Sequence, residues 1–339
     1  HQITDIEEPE GLFEHFAFTV DPGQEPMRID RWLMHRIAHA SRTKIQAAID
    51  AGSVVVNEKP TKNNYKVKPK DHIRILLPEE PRDTEVYPEN IPLDIVYEDD
   101  DIAIINKPAG LVVHPGAGNP SGTLVNALVY HINNLPNPPN DYYGRPGLVH
   151  RIDKHTTGIL VVAKTEMALT HLAKQFYDRT TERKYIALVW GDLKEDGYVE
   201  GNIGRSLKNR KVMTVFPNSD FGKFAKTHYK VIERFGLVTL IECKLETGRT
   251  HQIRVHMKHI GHPLFNDLEY GGNKILNGTI SVPYRKFVEK SFELLSGQAL
   301  HAKSLGFIQP KTKQKLFFES ELPKSFLILI ADWRNYCLN

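Results

Sequence analysis

The sequence is poor in cysteine and contains no long apolar run. Only Cys243 and Cys337 occur in 339 residues, so a disulfide framework is excluded and a reducing compartment is expected. The aliphatic run FLILIA, Phe326 to Ala331, is far shorter than a membrane-spanning helix. The first fifteen residues are acidic and lack an apolar stretch, so we expect no signal peptide there. These absences predict a cytoplasmic protein that does not bind membranes.

Motifs for nucleotides, metals and serine nucleophiles are also missing. GAGNPSGT, Gly116 to Thr123, resembles a phosphate loop but has no lysine before its threonine and contains Pro120. His256, His259 and His262 are close in sequence, yet neither HExxH nor CxxC accompanies them. No GxSxG elbow is present. We therefore expect no cofactor and no metal.

Charge is distributed unevenly along the chain, although the formal net charge is only +3. Residues 1–27 contain seven acidic and no basic residues, whereas residues 28–75 contain eleven Lys and Arg against four acids. Residues 79–101 contain ten acids and one Arg, and the rest of the chain is basic. Two basic blocks separated by an acidic connector indicate surfaces that face a polyanion.

The first basic block has the pattern of a compact helical unit. Ile29, Leu33 and Ile37 recur at helical spacing, and Ser41 can cap a second helix that Gly52 ends. SVVVN and HIRILL then predict two strands around an NEKP turn. This order resembles the small ribosomal-protein-S-four-type RNA-binding domain. The resemblance implies phosphate contacts by Arg28, Arg31, Arg42 and Lys44. A small basic module that binds a protein is the alternative.

Four segments follow from this pattern. We expect an acidic N-terminal segment at 1–26, the RNA-binding domain at 27–77, an acidic, proline-rich linker at 78–90 and a catalytic domain at 91–339. Strands dominate the last segment, with few helices between them. The fold class is therefore α+β: the small helix–helix–strand domain, then a large mixed, mostly antiparallel sheet flanked by helices and loops.

GLVHRIDKHTTGILVVAK, Gly147 to Lys164, holds the most informative carboxylate. Asp153 lies in a polar, cationic loop just before a buried strand. Such a residue is often a simple turn residue. A carboxylate at the mouth of a buried strand needs a cation, however, and Arg151, Arg249 and Arg254 are candidates. One charged carboxylate among arginines suits a nucleophile or general base that acts on an anionic polymer.

Six separated segments resemble RluA-type pseudouridine synthases. They are NKPAGLVVHPG, GTLVNAL, HRIDKHTTG, RKYIALV, IGR with GKFAKTHYKV, and LETGRTHQIRVHMKHIGHPLFND with YGG. They occur in the family's order, cover nearly the whole chain and are most similar to the RluD branch. Two positions depart from the usual pattern, because Ile152 replaces Leu and His155 replaces Asp. The histidine at 155 makes the loop more cationic, which leaves the fine RNA contact open but not the chemistry.

The resemblance implies a role for each matching residue. Asp153 is the expected catalytic aspartate, and Arg249 is expected to pair with it. Tyr185 is expected to stack on the flipped uracil, and Arg151 to help displace the target base. Further RNA contacts are expected from Lys107, His150 and Arg254.

The predicted function is isomerisation of specific uridines in large-subunit (23S) ribosomal RNA to pseudouridine, by a monomer that flips its target base. Whether the aspartate attacks the sugar, attacks the base or removes a sugar proton stays open. One alternative is a non-catalytic ribosome-binding or assembly factor on the same fold. Another is a metal-dependent RNA hydrolase built on the three histidines.

Overall fold

The chain divides into two compact units, a small one that contains the described residues up to 77 and a large one that contains those from 86 onward. The computed structural model describes residues 13–37, 40–77, 86–116, 118–138, 145–209, 212–217 and 221–338. Most of the acidic N-terminal segment, residues 1–12, and most of the proposed linker, residues 78–85, therefore lie outside the described residues.

Two helices of the small unit form where the apolar spacing predicts them, α1 at Ile29–Met34 and α2 at Arg42–Asp50. The Ser41 hydroxyl accepts a hydrogen bond from the Lys44 backbone N–H at 3.3 Å, which confirms Ser41 as the N-cap of α2. The helices contribute buried apolar side chains to one core: Ile29, Trp32, Leu33, Ile45 and Ile49.

The small unit also contains an antiparallel sheet. Its strands are β1 (Phe13–Thr19), β2 (Val54–Val56), β3 (Lys59–Pro60) and β4 (His72–Leu77), in the order β1-β4-β2-β3. Strand β1 is not among the elements predicted from sequence. Its side chains are mostly exposed, so no buried alternation marks it.

A mixed sheet of ten strands organises the large unit. The strands are β5 (Ile95–Glu98), β6 (Ile102–Lys107), β7 (Thr157–Ala163), β8 (Glu182–Trp190), β9 (Gly197–Arg205), β10 (Met213–Phe216), β11 (Lys223–Arg234), β12 (Val238–Leu245), β13 (Leu300–Ile308) and β14 (Lys315–Glu319). Their order is β10-β9-β11-β12-β8-β13-β7-β6-β5, with β14 beside β13. Among the described strands only β13 and β7 pair in parallel, which confirms the α+β, mostly antiparallel prediction.

Five helices accompany this sheet in the described residues. They are α3 (Leu124–His131), α4 (Glu166–Tyr177), α5 (Gln252–His259), α6 (Val282–Glu293) and α7 (Lys324–Leu338). The N-cap of α5 is His251, in a left-handed conformation with φ 55°. Helices α6 and α7 are not among the predicted elements.

Strand β8 contributes to two cores because its side chains alternate between the faces of the sheet. Ala187 and Val189 pack with α3 and α5, whereas Leu188 and Trp190 pack with α6 and α7. Burial on both faces explains why this strand reads as a continuous apolar run. Tyr185 lies on the same face as Ala187 and therefore on the side of α5.

Gly158 determines how the loop that carries Asp153 enters the sheet. It has φ +109°, and a Cβ at this position would lie 2.2 Å from the backbone oxygen of Ala302 in β13. Only glycine allows β7 and β13 to approach so closely at the start of their parallel pairing. The loop at residues 150–156 is thereby fixed against the strand that follows it.

Candidate active site

A cavity of about 720 Å³ lies where the Asp153 loop, β8 and the segment leading into α5 meet. Its lining includes the carboxylate of the loop together with arginines, a histidine and the phenol of β8: Arg151, Asp153, Arg183, Tyr185, Arg249, His251 and Arg254. Five of the predicted site residues, His150 among them, thus share one cavity with Asp153. Such a concave site with converging charged groups is the expected form of an active site.

Asp153 is held by Arg254. Arg254 Nη1 donates to Asp153 Oδ2 at 3.1 Å, and the Asp153 side chain retains 17% exposure toward the cavity. His251 Nε2 lies 3.9 Å from the other carboxylate oxygen, Oδ1. The carboxylate therefore has a fixed direction and one partly free oxygen.

The predicted ion pair between Asp153 and Arg249 is wrong. Arg249 Nε donates instead to the backbone oxygen of Phe224 at 3.0 Å. Its backbone N–H donates to Gln252 Oε1 at 3.0 Å. Arg249 still lines the cavity, so it stays a candidate for contact with a ligand.

Arg254 is a buried, fixed counter-ion. Its side chain is 4% exposed, and Nε and Nη2 donate to the two carboxylate oxygens of Asp267 at 2.7 and 2.8 Å. Nη2 also donates to Glu269. Burial alone would lower the pKa of Arg254, but Asp267, Asp153 and Glu269 raise it above its ordinary value. The predicted role of Arg254 in direct RNA binding is not supported by this geometry, since all its donors face carboxylates.

Tyr185 lines the cavity from β8 with only 8% of its surface exposed. Burial raises its pKa, the nearby Arg183 lowers it, and Asp153 raises it, with a net upward shift. The phenol is therefore protonated near neutral pH. Its position beside the carboxylate suits an aromatic platform for a flat ligand.

Lys107 is buried away from the cavity with 1% exposure. Its Nζ donates to the backbone oxygens of Pro108, Leu111 and Lys154 at 2.8, 2.9 and 2.9 Å. Burial lowers the pKa of Lys107 to about 7, while the charge of Asp153 raises it. The amine ties the end of β6 to the loop that carries Asp153, and the RNA contact of Lys107 stays a prediction.

The imidazole of His150 also has a partner inside the protein. Nε2 accepts a hydrogen bond from the Val161 backbone N–H at 3.0 Å, and the ring stacks on Phe176 at 4.4 Å. Burial lowers the pKa of His150 to about 3, so the ring is neutral and structural rather than a cationic RNA contact. Arg151, by contrast, is exposed, with Nη1 3.4 Å from His114 Nε2.

The four basic residues predicted as phosphate contacts in the small unit fall into two groups. Arg28 and Arg42 both donate to Asp30, from Nε, at 3.1 and 3.0 Å, and each keeps about two-fifths of its side chain exposed. Arg31 and Lys44 are exposed on α1 and α2. The small unit therefore presents a basic surface in which two arginines are oriented by a buried carboxylate.

Sequence reasoning missed His251, Asp267, Glu269 and Arg183 as site residues. His251 Nδ1 shares a hydrogen bond with Tyr270 Oη at 2.8 Å, which orders the turn before α5. The sequence does contain a signal for Asp267 and Glu269. A buried arginine requires carboxylate partners, and these two acids follow α5 closely in the segments FND and LEY.

The three histidines considered as metal ligands do not converge. His256 Nδ1 bonds to Thr227 Oγ1 at 2.9 Å, whereas His262 Nδ1 bonds to the backbone oxygen of Trp190 at 2.7 Å. Within the described ranges no cluster of three His, Cys, Asp or Glu side chains has a metal-binding arrangement. In the same part of the chain, no helix is long and apolar enough to cross a bilayer.

Two family profiles match the chain. The profile of RNA pseudouridylate synthases matches residues 101–259, which include the cavity, and the S4 domain profile matches residues 27–73. The matches fall on the two units separately, one on the large sheet and one on the small basic unit.

Curated relatives cover nearly the whole chain. An uncharacterised RNA pseudouridine synthase of Chlorobaculum parvum is 46% identical over 92% of this chain and 95% of its own length. An uncharacterised RNA pseudouridine synthase of Bacillus subtilis is 44% identical over 93% of this chain and 97% of its own length. Ribosomal large subunit pseudouridine synthase D of Nitrosomonas europaea is 43% identical, covering 94% and 87%.

Solved structures share the fold. Human RNA Pseudouridylate Synthase Domain Containing 1 has a TM-score of 0.51 and 25% identity, covering 68% of this chain and 84% of that one. Human RNA Pseudouridylate Synthase Domain Containing 4 has a TM-score of 0.53 at 24% identity, covering 71% and 92%. A basic S4 domain and an arginine-lined cavity that holds the carboxylate of Asp153 define the class, an RNA-modifying enzyme. The chain belongs to the RNA pseudouridine synthase family and is an isomerase of the RluA type.

Proposed function

We propose that this enzyme converts specific uridines of 23S ribosomal RNA to pseudouridine and that Asp153 is its essential carboxylate. The 43% identity to a synthase named for the ribosomal large subunit supports the choice of RNA. The observation that carries the catalytic assignment is the cavity in which Asp153, fixed by Arg254, lies beside Tyr185. An enzyme with this substrate would work as a monomer in the cytoplasm.

The proposed reaction conserves atoms. The bond between sugar C1′ and uracil N1 breaks, the base rotates within the cavity, and a bond forms between C1′ and C5. N1 gains a proton and C5 loses one, so no oxidant or reductant is consumed. The partly exposed oxygen of Asp153 is the group that meets the reacting nucleotide.

The other side chains hold the base and the RNA. Tyr185 stacks on the uracil, which returns about 1–3 kcal/mol of the free energy spent on unstacking. Arg151, exposed at the edge of the cavity, takes the space that the flipped base leaves. Arg249 contacts RNA rather than Asp153. The domain at 27–77 contributes phosphate contacts of its own, residues 91–339 carry the chemistry, and the linker at 78–90 joins them.

Asp153→Asn tests the proposal. The asparagine side chain has almost the same shape as the aspartate but carries no charge. We therefore expect pseudouridine formation in 23S rRNA transcripts to become undetectable, while the affinity for RNA stays within about threefold of the wild-type value. Asp100→Asn, at an exposed position, is the matched control and should retain full activity. Product formation by Asp153→Asn at the wild-type rate would refute the catalytic assignment. RNA binding without any product from the wild-type chain would favour a ribosome-binding factor.

A further inference from the structure

Arg183 is a buried cation in the cavity wall that the reaction scheme above does not use. It lies on β8 two residues before Tyr185, so both side chains are on the same face of the strand. Its residue surface is 7% exposed, and it lines the same cavity as Asp153. The position therefore places a positive charge next to the proposed uracil platform.

No described carboxylate compensates this charge. Arg183 has no ion pair with a described carboxylate, and its Nε is buried without a hydrogen-bond acceptor. Burial accordingly lowers its pKa, opposed only by Tyr185. Arg254 in the same cavity is equally buried but has three carboxylates. An uncompensated buried charge costs several kcal/mol, so it is retained where a ligand supplies the counter-charge.

The surroundings of the guanidinium form a slot. Its carbon lies 5.4 Å from the centroid of the Phe176 ring, a cation–π contact. On another side a Cβ built on Gly248 would lie 2.7 Å from Arg183 Nη1. Gly248 has no left-handed φ, so the close approach of the guanidinium, rather than backbone strain, is the reason for glycine here. Phe176 and Gly248 thus hold the planar guanidinium of Arg183 in one orientation at the cavity wall.

We propose that Arg183 binds a backbone phosphate of the flipped nucleotide and so holds the target in place for reaction. This inference rests on the proposed function. A guanidinium fork matches two phosphate oxygens, and a phosphodiester supplies the missing negative charge, which a neutral uracil carbonyl does not. Arg183 is thus a substrate-binding residue whose contribution appears in the capture of RNA.

Arg183→Met and Arg183→Lys are the first test, with 23S rRNA transcript as the probe. Losing a charged hydrogen bond to phosphate should raise KM about tenfold to a hundredfold in Arg183→Met. Its plot of log affinity against log salt should be shallower by about 0.7, the value for one phosphate contact on a single strand. Arg183→Lys keeps the positive charge but lacks the two parallel donors of a guanidinium, so its KM should lie between those of the wild type and Arg183→Met. Arg334→Met is the matched control, because Arg334 is already neutralised by Glu233.

Gly248→Ala is the second test, since its methyl group displaces the guanidinium without removing it. We expect KM to rise in the wild-type background and to change less than about twofold in Arg183→Met, because interacting sites are not additive. An equal effect in both backgrounds, or a salt dependence of Arg183→Met identical to wild type, would overturn the phosphate contact while leaving the synthase assignment intact. If the wild-type chain makes no pseudouridine, the proposed function fails, and the salt dependence of binding still decides for or against Arg183.

Discussion

At the scale of single residues, the central feature of the site is the ion pair between Arg254 and Asp153, which are 101 residues apart in the sequence. Arg254 and Asp153 approach to 3.1 Å because α5 begins at Gln252, after His251 in a left-handed conformation. A helix that began one residue earlier would rotate each side chain by about 100°. Sequence alone identifies Asp153 and the arginine-rich segment, but not which arginine faces the carboxylate, because that depends on the exact helix start.

Replacing Arg254 and Arg249 by methionine, one at a time, separates their roles. Arg254→Met removes the group that orients Asp153, so we expect kcat to fall about a hundredfold. Arg249→Met removes a cavity-lining cation that pairs with no carboxylate among the described residues, so KM should rise while kcat changes less than about threefold. Steady-state kinetics on 23S rRNA transcript distinguish the two variants. The reverse pattern, with kcat lost in Arg249→Met, would contradict the geometry.

At the scale of elements, a buried carboxylate joins the two helices of the small unit. Asp30 on α1 accepts hydrogen bonds from Arg28, from Arg42 on α2 and from Gln46. Burial raises the pKa of Asp30, but these hydrogen bonds outweigh it and hold the pKa well below its ordinary value. The same bonds fix the direction of two arginines that face solvent, so stability and the basic surface depend on one residue.

Asp30→Asn should destabilise the protein by about 2 kcal/mol at pH 7, since it weakens charge-assisted hydrogen bonds from two arginines that stay partly solvated. Because the pKa of folded Asp30 lies below the unfolded value of 3.8, its stabilising contribution is present above that value and is lost as pH falls below it. The difference from wild type should therefore shrink below about pH 4, measured by denaturant unfolding between pH 7 and pH 3. Asp50→Asn, exposed at the end of α2, is the control. A difference that stays constant with pH would contradict this role.

Most elements near the site could be predicted, and the missed ones have physical reasons. Strands β6, β7, β8 and β12 are buried apolar runs, so they stand out in the sequence. Strand β9 alternates imperfectly and contains glycines. In α7, Phe326, Leu329, Ile330 and Trp333 are buried at helical spacing, so this helix was predictable but was interpreted only as an aliphatic run.

At the scale of the whole molecule, the succession of strand and helix patterns predicts the α+β class but not the strand order. The parallel pairing of β13 with β7 joins segments more than 140 residues apart, and it rests on the contact between Gly158 and Ala302. No local pattern encodes that contact. The alternating burial of β8 is local and does place Tyr185 on the face of the active site. Thus sequence predicts which segments build the site, whereas the sheet determines how they meet.

The uneven charge of the chain has a measurable consequence for RNA binding. Arg31 and Lys44 are exposed on the small unit, so each can release counterions from RNA. The double variant Arg31→Gln and Lys44→Gln should reduce the slope of log affinity against log salt by about 1.4 to 1.8, the value for two phosphate contacts. It should leave kcat unchanged, because neither residue lines the cavity. Lys286→Gln with Lys290→Gln, both exposed on α6, is the matched control. An unchanged slope in the Arg31 and Lys44 variant would mean that the small unit binds something other than the phosphate backbone.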